Sequence, residues 1–305
     1  MIITTTKTLA LAAVVALLAT GCAATGASSD GRIQAVGAEN QYTSVISQLG
    51  GKYVEVTSVM SNPNTDPHTF EASASVASDI ASAQLVVQNG LGYDSFMDKI
   101  EAATPSASRV VISAQAVRGL PDSAPNPHLW YDPKTMPSVA AKIEASLVKL
   151  QPSHKAYFAA KLAEFDHSLR AFDAQIAAFK SAHPGVTVAT TEPVADYLLT
   201  AIGAKNLTPW ALQAAIMNDT DPAPQDVATQ EALFNNHSVT VFIYNTQVTD
   251  SITNTYLKLA KHNGVPVVGV YETMPTDGFT YQTWMKAELA AIGDAITSGK
   301  STTTL

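Results

Sequence analysis

Two of the seven histidines in this 305-residue chain stand in settings suited to holding a ligand. His68 lies in Asn64-Thr65-Asp66-Pro67-His68-Thr69-Phe70, and His128 lies in Asn126-Pro127-His128-Leu129-Trp130-Tyr131-Asp132-Pro133. A preceding proline restricts the local backbone, so each imidazole is carried on a stiffened loop. Little residual freedom is what a ligand group requires. The other five (His154, His167, His183, His237 and His262) fall on helical segments or in polar turns, the ordinary places for surface or capping residues. Two carboxylates share a different setting. Glu192 follows the apolar run 186–189 through Thr190-Thr191, and Glu272 follows the run 265–270 through Tyr271. A charge that emerges directly from a buried strand needs a partner, because burial without one is costly. For Glu192 a helix N-terminus is a competing explanation, since its dipole favours a carboxylate.

The elements that must carry these groups follow an alternating rhythm. Short apolar runs at 33–37, 54–60, 84–88 and 109–113 read as strands, and helical patterns at 40–49, 73–82 and 93–102 separate them. The second half repeats the alternation, with strands at 186–189, 239–244 and 265–270 and helices at 193–201, 224–235, 250–262 and 281–297. Such βα units form parallel sheets. Between the halves, after a helix at 137–150, residues 153–182 form one long helical stretch. Its apolar positions Tyr157, Phe158, Leu162, Phe165, Leu169, Phe172, Ile176 and Phe179 recur at spacings of three and four. Pro152 precedes it and His183-Pro184-Gly185 ends it. The expected fold is α/β: two βα lobes with parallel sheets, joined by one long rigid helix, with a ligand cleft between the lobes. The lobes are assigned to 32–150 and 185–305, and the linking helix to 151–184. Ligands of α/β sheets bind beyond the carboxyl ends of the strands, which points to the cleft.

Composition removes several function classes. Apolar residues make up 46% and charged residues 14%, the balance of a folded chain. A formal net charge of −8 argues against a nucleic-acid partner, which needs a basic face. A single cysteine, Cys22, cannot form an internal disulfide, a thiolate zinc cluster or an iron–sulfur site. Residues 9–19 are an unbroken apolar run, shorter than the ~20 residues of a spanning helix but suited to a signal peptide over 1–21. The run ends in Leu18-Ala19-Thr20-Gly21-Cys22, which resembles a bacterial lipobox. That resemblance makes Cys22 the lipid-bearing N-terminus, followed by a small polar tether over 22–31, and places the protein on the outer face of a cell membrane. A plain secretory signal is the alternative.

The Asp-Pro-His motif at 66–68, the 126–133 motif, Thr-Glu-Pro at 191–193 and Glu-Thr-Met-Pro at 272–275 resemble, in order and spacing, the metal-binding lipoproteins of bacterial ABC importers. This zinc/manganese group has two α/β lobes, a backbone helix and a metal in the cleft. The resemblance implies that His68, His128, Glu192 and Glu272 ligate one transported divalent ion, Zn²⁺ or Mn²⁺. The third ligand is His in many zinc members and Glu in many manganese members. The fourth is usually Asp, so Glu272 departs from the pattern by one methylene. Zinc members often carry a histidine-rich loop, and none occurs in this sequence. Two neutral imidazoles and two carboxylates balance a divalent charge, which lowers the cost of burying the ion. Asp66 and Asp132 are candidates to orient the neighbouring histidines or to cap turns, and Tyr244-Asn245, at a strand end, to line the cleft.

The implied function is capture of the ion and delivery to an ABC permease with a separate ATPase subunit, by a monomer anchored in the membrane through its lipid. The chain has no Gly-x-x-x-x-Gly-Lys-Ser/Thr loop of its own. Two other classes compete. An exported metal-dependent hydrolase needs an open coordination position, and neither His-Glu-x-x-His nor Gly-x-Ser-x-Gly occurs. A surface adhesin is the other, since proteins of this family have carried that label.

Overall fold

Eight short strands form two separate, wholly parallel sheets in the computed structural model, which describes residues 31–64, 68, 70–275 and 278–305. The first sheet contains β1 (Ile33–Glu39), β2 (Val54–Met60), β3 (Leu85–Gln88) and β4 (Val110–Ser113), in the order β2-β1-β3-β4. The second contains β5 (Thr187–Thr190), β6 (Lys205–Asn206), β7 (Val241–Asn245) and β8 (Val267–Val270), in the order β6-β5-β7-β8. The two halves therefore share one topology without a sequence repeat. In each, the strand order reverses between the first and third strands, and the crevice at the carboxyl ends opens there. β3, β7 and β8 are buried along their whole length, which explains their unbroken runs Leu-Val-Val-Gln, Val-Phe-Ile-Tyr-Asn and Val-Val-Gly-Val. The segments expected to be signal peptide (1–21) and tether (22–31), Cys22 included, lie outside the described residues except for residue 31.

The linking helix runs over Lys155–Ala182, entered through a 3-10 turn at Pro152–His154. Its 28 residues span about 42 Å at 1.5 Å each. Phe158, Phe165, Leu169, Phe172 and Phe179 are buried, and the four phenylalanines recur every two turns. Tyr157, Leu162 and Ile176 are only partly buried at the margins, so the stripe is narrower than the periodicity suggests. Three elements escape sequence reading. β6 has two residues, both polar because it is a sheet edge. The helix Ala114–Arg118 is five residues long, started by the Ser113 hydroxyl accepting from the Ala116 N–H. The helix Trp210–Met217 is apolar on nearly every side and shows no clear period.

The two sheets do not have independent cores. One apolar cluster runs from Val45 and Leu85 through Phe165 to Val188, Val270 and Trp284. Smaller clusters cover the other face of each sheet, around Ile80 and Val86 and around Phe234 and Phe242. Polar pins cross between the halves. The Tyr131 hydroxyl donates to the Tyr271 carbonyl at 2.9 Å, and the Tyr281 hydroxyl to the Trp130 carbonyl at 2.7 Å. The Asn40 amide both donates to the Met274 carbonyl, at 2.6 Å, and accepts from its N–H, at 2.9 Å.

Beneath these pins Glu288 is fully buried on the helix Tyr281–Ser298, accepting from Trp284 Nε1 at 2.9 Å with the Tyr131 hydroxyl at 3.2 Å. Burial pushes its carboxyl up to about 8, more than these donors can offset. The folded chain thus holds a proton at neutral pH that the unfolded chain releases. The stability this carries is full below the ordinary glutamate value of about 4.3 and is lost as pH rises through about 8. Glu288→Gln keeps an acceptor and removes the titration. Scanning calorimetry of the metal-free protein should show the wild-type Tm falling between about pH 5 and 8 relative to the variant. Parallel pH profiles would contradict this account.

Candidate metal centre

The four candidate ligands arrive on four different loops at the carboxyl ends of the strands. His128 precedes the 3-10 turn Leu129–Tyr131 and is fully buried. Its ring is fixed by Asn126, whose Oδ1 accepts from the His128 N–H at 3.0 Å and faces Nδ1 at 2.8 Å. Asn126 Nδ2 donates to the Pro193 carbonyl at 2.8 Å, which sets the orientation of the amide. Because Oδ1 can only accept, Nδ1 carries the proton and Nε2 points into the site. That Nε2 lies 3.2 Å from Glu272 Oε2. His68 Nε2 lies 3.3 Å from the same oxygen and 3.9 Å from Glu192 Oε2. One ligand atom each from His68, His128 and Glu272 falls within 4.8 Å of the others. The structure thus brings His68, His128 and Glu272 into one cluster, and Glu192 approaches it through His68 at 3.9 Å. Glu192 is not spent on a helix terminus: the helix is Asp196–Ala201, and Asp196 is the acid of its first turn.

The two carboxylates are held by donors that the sequence motifs do not advertise. Asn245 Nδ2 donates to Glu192 Oε1 at 3.0 Å and to Glu272 Oε1 at 2.7 Å. Tyr93 donates its hydroxyl to Glu272 Oε2 at 2.9 Å. Gln247 Oε1 accepts from the N–H groups of Glu272 and Thr273 at 2.6 and 2.8 Å, fixing the backbone of that loop. Tyr93 reaches the site because Gly90, Leu91 and Gly92 all take positive φ, of 85°, 55° and 78°. Asp94 stabilises this turn by accepting from the N–H groups of Asn89 and Gly90. Two glycines in Asn89-Gly90-Leu91-Gly92-Tyr93 were the available signal for so sharp a loop. Asp132 does not orient His128. It pairs with Arg118 at 2.7 Å and caps its own turn through the Lys134 N–H. Asp66 lies outside the described residues.

Burial alone would raise the Glu272 carboxyl, but the hydrogen bonds and charge of His128 and His68 hold it well below the usual carboxylate range. The metal-free site thus sets an ionised carboxylate opposite two imidazole Nε2 atoms.

A family described as ZnuA, zinc-uptake complex component A, periplasmic, matches residues 36–295. The chain belongs to this family. Among its relatives, the manganese-binding lipoprotein MntA of Bacillus subtilis is 27% identical over 169 residues, which are 53% of this chain and 55% of MntA. The chain thus matches about half the length of that relative. In fold, it is similar to the periplasmic zinc-binding protein TroA of Treponema pallidum. That likeness has a TM-score of 0.74 at 18% identity and covers 87% of this chain and 99% of TroA. It is similar also to FpvC of Pseudomonas aeruginosa in complex with Mn²⁺, with a TM-score of 0.71 at 22% identity over 88% and 99% of the two chains.

In this zinc-uptake family member the site has one wet side. The side chains of His128, Glu192 and Glu272 are fully shielded, whereas His68 keeps 23% of its side-chain surface exposed. A cavity of about 530 Å³ opens onto His68 between Tyr93, Phe96, Lys99 and Trp210. Tyr93 packs edge-on against both imidazoles and Trp130, so its ring and its hydroxyl have separable roles. Tyr93→Phe keeps the ring and removes one donor from a buried carboxylate. Urea unfolding of the metal-free protein should show a loss of about 1–3 kcal/mol; an unchanged midpoint and slope would mean that the hydroxyl does not support Glu272.

Proposed function

We propose that the chain captures one divalent transition-metal ion, zinc or manganese, through His68, His128, Glu192 and Glu272. It then hands the ion to an ABC permease driven by a separate ATPase subunit. The observation that carries this reading is the convergence of two imidazole Nε2 atoms on a pair of buried carboxylates, with contacts of 3.2 to 3.9 Å. Two neutral imidazoles and two carboxylates offset the charge of a divalent ion, so a site shielded on all but its His68 side can hold it. Membership of a zinc-uptake family supports the transport role. MntA is named for manganese and TroA for zinc, so both ions stay in the reading. Four protein donors fill a tetrahedral shell, which suits carrying an ion and leaves no position for the activated water of a hydrolase.

The same reading includes the division into lobes at 32–150 and 185–305 around a link at 151–184, and a monomer as the working form. It also includes export by a signal over 1–21 and anchoring of Cys22 to the outer face of the membrane by lipid. The Leu18-Ala19-Thr20-Gly21-Cys22 sequence is what supports the anchor.

Native mass spectrometry of the chain purified from bacterial membranes tests these points together. The expected spectrum shows a monomer that begins at an acylated Cys22 and takes up one Zn²⁺ or Mn²⁺. His68→Ala and His128→Ala should each lose the ion. A wild-type chain that binds no divalent metal would overturn the receptor; an unmodified cysteine would overturn only the anchor.

A further inference from the structure

Asn245 closes β7 and is 1% exposed, at the point where both candidate glutamates meet. The Gln247 N–H donates to its Oδ1 at 3.1 Å, so the NH₂ end of the amide is the end that faces the carboxylates. Its own backbone N–H is held by the Thr191 hydroxyl at 3.0 Å, which ties Asn245 to the loop carrying Glu192. An amide nitrogen has two protons. Here both are committed, one to Glu192 Oε1 at 3.0 Å and one to Glu272 Oε1 at 2.7 Å. The other oxygen of each glutamate, Oε2, is the one near the imidazoles. The site thus presents two nitrogens and two oxygens while the remaining two oxygens are tied back. For a carboxylate to coordinate through both oxygens, Oε1 must turn one lone pair toward the ion, which pulls it out of line with an amide whose other proton is fixed on the second glutamate.

We propose that Asn245 is a positioning residue that sets how many carboxylate oxygens the bound ion receives, favouring one from each glutamate. Four donors suit tetrahedral Zn²⁺, whereas oxygen-rich six-coordination suits Mn²⁺. Asn245 therefore biases the site toward zinc relative to manganese, even though the ligand set itself admits both. This rests on the metal-capture reading given above.

The test is competition titration of Zn²⁺ and Mn²⁺ on the wild-type chain, Asn245→Ala and Asn245→Asp. Aspartate has the shape of asparagine and so preserves the packing, but it cannot supply two protons. In both variants the ratio of the manganese Kd to the zinc Kd should fall about tenfold, the size of one hydrogen bond to a charged group. The visible absorption of the Co²⁺-loaded variants should weaken as cobalt gains ligands beyond four. An unchanged ratio with an unchanged cobalt spectrum, even where both affinities drop together, overturns the role of Asn245 and leaves metal capture standing. A wild-type chain that binds neither ion overturns metal capture, and the role of Asn245 with it.

Discussion

Two carboxylates buried side by side repel one another, and the repulsion grows as water is excluded. Glu192 and Glu272 are both shielded from solvent and share the protons of a single amide nitrogen. Much of the surrounding structure serves to make that tolerable. Asn245 bonds the outer oxygens, Tyr93 bonds an inner one, and two imidazoles stand opposite. Each donor is itself held: Asn245 by Gln247 and Thr191, His128 by Asn126, and Tyr93 by a turn that Asp94 caps. Even with these donors the site keeps an excess of negative charge whenever the imidazoles are neutral. A divalent cation removes that excess, which is why the arrangement fits a metal better than any neutral ligand.

The shared core sets how such a site can be filled. Residues of both sheets and of the linking helix belong to one apolar cluster, and hydrogen bonds from Asn40, Tyr131 and Tyr281 cross between the halves. Wide opening of the lobes would expose that cluster and break those bonds, at a cost that a single bound ion is poorly placed to repay. Of the four candidate ligands, His68 keeps exposed side-chain surface and lines the cavity near Trp210, while the other three are shielded.

Much of this was legible in the sequence because it follows from periodicity and from chemistry concentrated in short motifs. The strands buried on both faces read as apolar runs, and β2 begins and ends at the expected residues. The four phenylalanines of Lys155–Ala182 marked the linking helix. Both histidines stood out through their prolines, and both glutamates through their place after a strand. What stayed hidden depends on long-range geometry. Asn245 was legible as a strand end, but its double hydrogen bond links loops far apart in sequence. Tyr93 looked like the start of a helix, yet the helix begins at Ser95 and Tyr93 is left free to turn into the cleft. Asp132 was open to two readings, orienting His128 or capping a turn; it caps its turn through the Lys134 N–H and pairs with Arg118. Glu288 carried no motif at all, since only its burial against Trp284 and Tyr131 makes it unusual.

Zinc-edge X-ray absorption of the chain loaded with one equivalent of Zn²⁺ tests whether His68, His128, Glu192 and Glu272 form one metal shell. The expected shell holds two imidazole nitrogens and two carboxylate oxygens at about 2.0–2.2 Å, with the nitrogen signal halved in His128→Ala. A shell of oxygens alone, or an imidazole signal that His128→Ala leaves intact, would contradict it.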